Sequence, residues 1–363
     1  MKKNPAFAKD NLKTKIAVLV GLFCFLYIVF SFRPLGTELH LTPDWTLAID
    51  REELEAGGES AQDLVPFKLG QAIGYFSADG RIAACIPFSF NAAISSRYYA
   101  VYSANNKGTE VKNPDGTTAL TLDAPGFPFF SDDRIFLFLP NGNSIARYDS
   151  TGAKLWEYEN YAPVSAFSSS EGGCVIGFAD GQIVSVKNDG TIDQRYYPGG
   201  SEFSAIYGAA VSTDGSLIAC MSGLKQQRFI VSRRNQGEHP KVIFHEYLPA
   251  ESNQLRLVKF NEDASLVFYN YNGGLGVADL QGTKSSHIPL SGTVVQIEEA
   301  KEFDLVFILS RDGKKYTVTV LEPFDQVLSS TSFKAEHAFL LVRDNYVFIG
   351  RDSKISRISI AKR

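Results

Sequence analysis

The sequence predicts an all-β chain, and the spacing of its turn residues is the main reason. Beyond residue 70, Asp-Gly and Asn-Gly pairs begin at positions 79, 115, 141, 180, 189, 214, 272 and 312. Such pairs favour two-residue hairpin turns, because their residues tolerate positive φ. The segments between them are short and rich in β-branched and aromatic residues, such as RIFLFL and CVIGFA. Beyond the N-terminal apolar run, no stretch of about ten residues keeps the apolar period of a helix.

The clearest repeating unit covers residues 161–199. Its four predicted strands, APVSAFSSS, CVIGFA, QIVSVKN and TIDQRYYP, are separated by glycine-containing turns. Four antiparallel strands in about 40 residues are typical of one blade of a β-propeller. The pattern recurs less regularly along the rest of the chain. We assign blades to residues 70–122, 123–159, 160–200, 201–249, 254–291 and 293–333.

A further blade is predicted from both ends of the chain. The final segment, 335–362, has room for only three strands, HAFLLVR, NYVFIG and KISRISIA. An unpaired sheet edge invites aggregation, so a fourth strand is expected there. The segment 44–49 (DWTLAI) is the strand candidate that could supply it. The prediction is therefore a single propeller over 70–363 with seven four-stranded blades, closed by the N-terminal strand; a count one higher or lower stays open.

The N-terminus predicts a membrane anchor. Residues 16–32 carry no charge, and five lysines precede them. A spanning helix needs about 20 apolar residues, and basic residues favour the cytoplasmic side. We predict a basic cytoplasmic segment over 1–15, one transmembrane helix over 16–33 in contact with the lipid bilayer, and a linker over 34–69. The propeller would then lie outside the cytoplasmic (inner) membrane, in the periplasm. A cleavable signal peptide is the alternative, although no Ala-x-Ala site follows the run.

Charge and cysteine content exclude several classes of protein. The first 33 residues carry six bases and one acid, and subtracting this +5 from the net charge of −4 leaves about −9 on the remainder. Nucleic-acid partners need clustered Lys and Arg and are therefore excluded. Beyond the apolar run there are three cysteines, Cys85, Cys174 and Cys220, without a C-x-x-C pair. An odd number at this spacing does not indicate a disulfide framework.

One short segment carries a family resemblance. The residues DSTGAKLW, at 149–156, resemble the repeat of quinoprotein-type (PQQ-like) propellers, whose last turn is followed by a tryptophan. The resemblance implies that Trp156 docks between neighbouring blades and that Thr151 and Gly152 form the turn. The resemblance to WD40-like propellers rests on blade layout alone, since no Trp-Asp pair occurs. Because this is the one good copy of the motif, it implies a fold more than an activity.

A search for catalytic chemistry finds little. The five histidines are dispersed, whereas zinc sites bring two ligands within two to five residues. The pair Asp132-Asp133 lies between two apolar strands, where a turn needs such residues. No G-x-S-x-G, H-E-x-x-H or phosphate loop is present. We therefore predict no cofactor, no metal and no enzymatic activity.

The region 86–122 contains more aromatic residues than strands of ordinary length require. One interpretation is that long strands extend past the sheet. The other is a protruding hairpin that contacts a partner, because Tyr and Phe are enriched at interface cores. The candidate partner-binding residues are Phe88, Phe90, Tyr98, Tyr99 and Tyr102.

Together these observations predict a membrane-anchored, extracytoplasmic scaffold that binds one or more envelope proteins. The rival hypothesis is a propeller that binds a sugar or other ligand, or acts as an enzyme, through its central channel. Convergent polar residues at the channel mouth would favour the rival, and aromatic patches on a face would favour the scaffold.

Overall fold

The computed structural model describes residues 15–27, 38–49, 64–103, 107–200, 204–234, 239–249 and 254–362. The chain divides into two units. One comprises residues 1–41 with 361–363, and in it a helix covers residues 15–27. The other, residues 42–360, contains all the strand residues except 39–41 and 361–362. Its single helical turn in the described part is a 3-10 turn at Lys301–Phe303.

The described residues form eight sheets, each of which is one blade. Blade 1 has β2 (Leu64–Leu69), β3 (Ala72–Ser77) and β4 (Ile82–Pro87); blade 2 has β5 (Asn91–Ile94), β6 (Tyr99–Tyr102), β7 (Thr109–Lys112) and β8 (Thr118–Leu122). Blade 3 has β9 (Phe127–Ser131), β10 (Arg134–Phe138), β11 (Ser144–Tyr148) and β12 (Lys154–Glu159); blade 4 has β13 (Val164–Ser170), β14 (Gly173–Phe178), β15 (Ile183–Val186) and β16 (Ile192–Tyr196). Blade 5 has β17 (Ile206–Val211), β18 (Leu217–Ser222), β19 (Arg228–Arg233) and β20 (Lys241–Tyr247); blade 6 has β21 (Val258–Phe260), β22 (Leu266–Tyr271), β23 (Gly274–Asp279) and β24 (Lys284–Pro289). Blade 7 has β25 (Thr293–Ala300), β26 (Leu305–Asp312), β27 (Lys315–Glu322) and β28 (Gln326–Lys334); blade 8 has β29 (Ala338–Arg343), β30 (Tyr346–Arg351), β31 (Lys354–Lys362) and β1 (Leu39–Ala48).

The prediction of seven blades is wrong, because the segment 70–122 contributes to two blades. Strands β3 and β4 belong to blade 1, and β5 to β8 form blade 2. The strands of blade 2 are only four or five residues long. Its first hairpin turns at Ser95–Tyr98 without a glycine, where the Ser95 N–H donates to the Tyr98 carbonyl (2.8 Å). Without a turn dipeptide at that point, the sequence offers no mark of the extra blade.

The predicted closing strand is confirmed by its pairing. β1 is the outer strand of blade 8 and pairs with β31. Side chains reinforce this edge: a carboxylate oxygen of Asp44 accepts hydrogen bonds from Arg357 Nε (2.9 Å) and Ser359 Oγ (2.6 Å). The strand is longer than predicted. Its pairing joins residues from opposite ends of the sequence and leaves β1, instead of β31, at the edge of the sheet.

The predicted anchor over 16–33 is wrong. Within the described ranges, no helix is long and apolar enough to cross a membrane. In the described residues the N-terminal helix covers 15–27. Residues 28–33 of the predicted anchor lie outside the described residues. The inner-membrane location, the cytoplasmic N-terminus, the periplasmic propeller and the bilayer contact all depended on this anchor.

The first strands of blades 2 to 8 run in the same direction. The Gly172 N–H donates to the Thr213 carbonyl (2.9 Å) and so joins the ends of β13 and β17. The Arg256 N–H donates to the Tyr207 carbonyl (2.6 Å) and joins the beginnings of β21 and β17. We call the side where these strands begin the top face, and the side where they end the bottom face. The connections between blades therefore lie on the top face.

Blade 1 departs from this arrangement. Arg343 Nη1 donates to the Leu64 carbonyl (3.2 Å), so β2 begins where β29 ends. Lys68 Nζ donates to the Ala92 carbonyl (2.6 Å), so β2 ends where β5 begins. β2 thus runs opposite to its neighbours, like the second strand of the other blades.

The apolar core lies between neighbouring blades. Between blades 3 and 4, for example, Phe136 and Ile145 pack against Cys174, Ile176 and Val184, all of them almost fully buried. The three cysteines of the propeller unit are free. Burial raises the pKa of both the Cys174 and the Cys220 thiol to about 12. Both thiols are therefore protonated and serve as small core residues.

Candidate functional site

The top face exposes large aromatic side chains. Phe90, Tyr161 and Tyr197 lie in connections between blades and are 73%, 104% and 57% exposed. Tyr102, which pairs with Asn91 across β5 and β6, and Phe127 add to this surface, and their ring centroids are 6.2 Å apart. Isolated exposed apolar residues are ordinary. Several aromatic residues that converge on one face are the composition of an interface core.

Hydrogen bonds hold the loop that carries Tyr161. Asn143 Nδ2 donates to the Asn160 carbonyl (2.6 Å), and the Asn160 N–H donates to the Asn143 carbonyl (3.1 Å). The Tyr161 N–H donates to Asn160 Oδ1 (2.7 Å), and the Val164 N–H donates to the Gly142 carbonyl (2.8 Å). A fully exposed aromatic ring thus stands on an ordered backbone. Because the loop is ordered before binding, little conformational entropy would be lost when a partner covers the ring.

Tyr197 is held in a similar way. Its hydroxyl accepts a hydrogen bond from Gln182 Nε2 (2.8 Å), while Asn160 Nδ2 lies 3.4 Å from Gln182 Oε1. These contacts connect the two tyrosine-bearing loops of blade 4. The nearby loop sequences PNGN (140–143), NYAP (160–163) and YPGG (197–200) carry no charge. Depletion of charge with retention of tyrosine is typical of the centre of a protein interface.

The structure does not bring the five predicted partner-binding residues to one surface. Phe88 and Tyr99 are buried between blades 1 and 2, each 7% exposed. Tyr98 and Tyr102 are half-buried against the core between blades 2 and 3. Only Phe90 is strongly exposed. Their role in partner binding stays a prediction, and it now depends mainly on Phe90.

Sequence reasoning missed Tyr161 as a surface residue and left the pair Tyr196-Tyr197 ambiguous. Tyr196 is the inward member: its hydroxyl lies 2.6 Å from Ser232 Oγ, and burial strongly raises the pKa of its hydroxyl. The signal that could have identified Tyr161 and Tyr197 is their context. Both precede prolines in loops, at NYAP and YPGG, where no strand face is available to bury a ring.

The bottom face has a polar channel mouth. A cavity of about 410 Å³ opens where β9, β13, β17, β21 and β25 end. Three consecutive serines of β13 contribute to its wall. The charged residues that line it are Asp132, Arg134, Glu171, Lys259, Glu262, Glu298 and Glu299.

Most of these carboxylates have partners. Arg134 lies 3.0 Å from Asp132, and Lys259 lies 3.6 Å from Glu298. The Glu262 N–H donates to Glu299 Oε2 (3.1 Å). Burial raises the pKa of Glu298, and Lys259 opposes this effect only in part. Burial also raises the pKa of Glu299.

The described part of the chain contains no group of three or more His, Cys, Asp or Glu side chains placed to hold a metal ion. At Asp132-Asp133 the chain forms a turn, as predicted, and Asp132 has φ 54°. The channel mouth is therefore a mixed polar surface with paired charges.

The tryptophan motif has the local geometry that the resemblance implied. One carboxylate oxygen of Asp149 accepts hydrogen bonds from the N–H and hydroxyl of Thr151, at 2.8 and 2.7 Å. Trp156 packs against Phe136 of its own blade (6.2 Å between centroids) and against Gly190 of blade 4. Membership in the quinoprotein-type or WD40-like groups stays a prediction.

Comparison with known proteins agrees with the architecture. A family described as beta-propeller protein matches residues 7–363. The chain belongs to this β-propeller family. It is 32% identical over 366 residues to an uncharacterized protein of Treponema pallidum (strain Nichols), covering 98% of this chain and 97% of that relative. It is also similar to the crystal structure of BamB from Moraxella catarrhalis, with a TM-score of 0.58 and 15% identity over 88% of this chain and 100% of that one. At that identity the second likeness concerns the fold alone.

Proposed function

We propose that this propeller is a non-catalytic protein-binding module whose top face contacts the partner. The observation that carries the proposal is the exposure of Phe90, Tyr161 and Tyr197 on loops of one face. Tyr and Phe side chains that are exposed in the free protein contribute most to the binding free energy, because a partner that covers them removes a large apolar surface from water. The ordered, uncharged loops around Tyr161 support an interface core at that position.

The fold supports the same class of function without naming a partner. A ring of blades presents many loops on a rigid frame, which suits recognition of another protein. An envelope location for the partner depended on the predicted anchor and is not part of this proposal.

The proposal is tested with the full chain carrying a photoactivatable cross-linker at position 89, which is exposed beside Phe90. Partners captured in cells are identified, purified and titrated against wild type, F90A and the double variant Y161A/Y197A. Loss of an aromatic anchor at an interface centre typically costs about 2 kcal/mol, roughly a thirtyfold drop in affinity. We expect at least this loss for the double variant.

The matched control is L155A/I192A, which removes two exposed apolar side chains, 50% and 42% exposed, from the bottom side. It should leave the affinity unchanged, and all variants should melt within a few degrees of wild type. Equal affinity of wild type and Y161A/Y197A for every captured partner would contradict the proposal.

A second candidate function rests on the channel mouth. The cavity of about 410 Å³ and its serine, carboxylate and ammonium groups favour a small polar ligand, such as a sugar. A thermal-shift screen of mono- and disaccharides against wild type and S168A/S169A tests this alternative. A shift that wild type shows and the variant lacks would support ligand binding at this face.

A further inference from the structure

Arg256 lies on the top face, in the connection that leads into β21. Its side chain is 7% exposed, whereas the preceding Leu255 is 68% exposed. Three contacts hold the backbone here. The Arg256 N–H donates to the Tyr207 carbonyl (2.6 Å), the Leu257 N–H donates to Asn270 Oδ1 (2.6 Å), and a Cβ at Gly208 would come within 2.4 Å of the Arg256 carbonyl oxygen. Gly208 therefore permits the close approach that fixes the position of Arg256.

Among the residues that the structure describes, none provides a counter-ion for the guanidinium group of Arg256. Its Nε and Nη2 atoms are buried and make no hydrogen bond with any residue the structure describes. Burial lowers the pKa of Arg256, and within the described ranges no carboxylate opposes that effect. Two other partly buried arginines do have acceptors: Arg147 Nη1 donates to Asn188 Oδ1 (2.5 Å), and Arg357 Nε donates to Asp44 (2.9 Å).

A buried cation without a hydrogen-bonded partner is unfavourable. An arginine fork binds a carboxylate through two parallel hydrogen bonds, which are among the strongest in proteins. A carboxylate that reaches this group would gain more than any uncharged ligand, but Nε and Nη2 are shielded from solvent in the free protein, so the side chain has to turn outward to meet it. The preceding residue, Leu255, exposes an apolar side chain on the same connection.

We propose that Arg256 receives a carboxylate, an Asp or Glu side chain or a C-terminus, from the polypeptide that binds the top face. This inference rests on the proposed function and adds the chemistry of the partner to it. Arginine, tyrosine and tryptophan dominate the binding energy of interfaces, and Arg256 would be the charged member of this surface.

The test uses a phage-displayed library of random short peptides, selected on the full chain and counter-selected on R256M. We expect the selected peptides to share one Asp, Glu or free C-terminus. A synthetic peptide of that sequence should bind R256M about thirtyfold more weakly than wild type. A peptide in which that carboxylate is replaced by an amide should also bind wild type about thirtyfold more weakly. R256M should bind this amide peptide with little further loss of affinity, because the two changes remove the same contact.

The matched control is R147M, which removes a partly buried arginine from the bottom side and should not alter peptide affinity. Peptides without a common carboxylate, or with equal affinity for wild type and R256M, would overturn the inference. If such peptides nevertheless bind Y161A/Y197A more weakly than wild type, the top face still binds a polypeptide, so the proposed function stands and only the role of Arg256 is wrong. Selection of no peptide would count against both.

Melting curves test whether Arg256 has a purely structural role. With no internal partner to lose, R256M should melt at or above the temperature of wild type. Glu202 and Glu251 lie outside the described residues, and Glu251 is the acid closest in sequence to Arg256. A fall of several degrees in R256M, matched by E202Q or E251Q, would show that the charge is already paired within the chain and would overturn the inference.

Discussion

At the scale of single residues, neighbouring aromatic side chains have opposite environments. Tyr99 is buried between blades 1 and 2, with its ring 6.3 Å from that of Tyr75. Phe90, nine residues earlier, is 73% exposed. Tyr196 and Tyr197 differ in the same way. Successive residues of a strand point to opposite faces, and a residue beyond the strand end has no face to join. The position relative to the strand end therefore decides whether a ring stabilises the fold or remains available to a partner.

Replacing Tyr99 should destabilise the propeller, whereas replacing Phe90 should not. Truncation of a large buried aromatic residue to Ala typically costs about 3–5 kcal/mol, because a cavity remains. Y99A should therefore lower the midpoint of urea unfolding, and F90A should unfold like wild type. Equal stabilities of Y99A and F90A would contradict the burial of Tyr99.

Glu298 should make the protein more stable when it is neutral. Its pKa is raised by burial, so the folded state binds a proton more tightly than the unfolded state does. As the pH falls from the raised pKa of the folded state to the ordinary value of 4.5, Glu298 takes up a proton, and the free energy of unfolding rises because the unfavourable buried charge is lost. E298Q should melt at a higher temperature than wild type at pH 7, and the difference should vanish below about pH 4.

E302Q is the control for a general effect of surface charge, because it changes an exposed acid on the same face. A lower melting temperature of E298Q at pH 7 would mean that the ion pair with Lys259 outweighs the burial of the carboxylate.

At the scale of elements, the outer strands of blades 3 and 8 use the same packing device. Trp156 of β12 contacts Gly190, and Trp45 of β1 contacts Gly80; each glycine belongs to an Asp-Gly turn of the next blade. Both glycines have positive φ, 87° and 96°. A Cβ would come within 2.7 Å of Trp156 or 3.1 Å of Trp45. The tryptophan motif thus occurs twice in space, although only the copy at 149–156 has the turn sequence that makes it recognisable.

Because their environments correspond, W45A and W156A should destabilise the propeller by similar amounts. Both side chains are partly buried, so we expect about 2–4 kcal/mol for each. The control is L155A, whose side chain is 50% exposed on the opposite side of β12. Chemical unfolding measures all three, and a large effect for W156A alone would contradict the equivalence.

At the scale of the whole molecule, the two faces differ in chemistry. The turns that follow the first strands carry mostly acids on the bottom face. These acids are Asp132, Asp133, Glu171, Asp214, Glu262, Asp263, Glu302, Asp304 and Asp344. The top face instead exposes tyrosine and phenylalanine. The two faces are therefore suited to different ligands, and the hypotheses of protein binding and of channel binding concern opposite ends of the ring.

Closure by β1 should contribute strongly to stability. A chain that begins at Ile49 lacks β1, so β31 becomes an unpaired edge and Arg357 loses Asp44. A native protein has a stability of only about 5–15 kcal/mol, so this truncation should lower the melting temperature by many degrees. A synthetic peptide of residues 38–49, added in excess, should restore part of the loss. Identical melting of the truncated and full chains would contradict the closure.

The sequence alone was sufficient to predict an all-β propeller and its closure by an N-terminal strand. Both follow from local chemistry, namely the Asp-Gly turns, the apolar strands and a final segment too short for four strands. The eighth blade was decided by tertiary structure, because the short strands of blade 2 and the turn after Ile94 lack a local signal. The same holds for the candidate surface. Exposure of Tyr161, burial of Tyr99 and the absence of a described counter-ion at Arg256 depend on which blade packs against which, a property that no local pattern of residues contains.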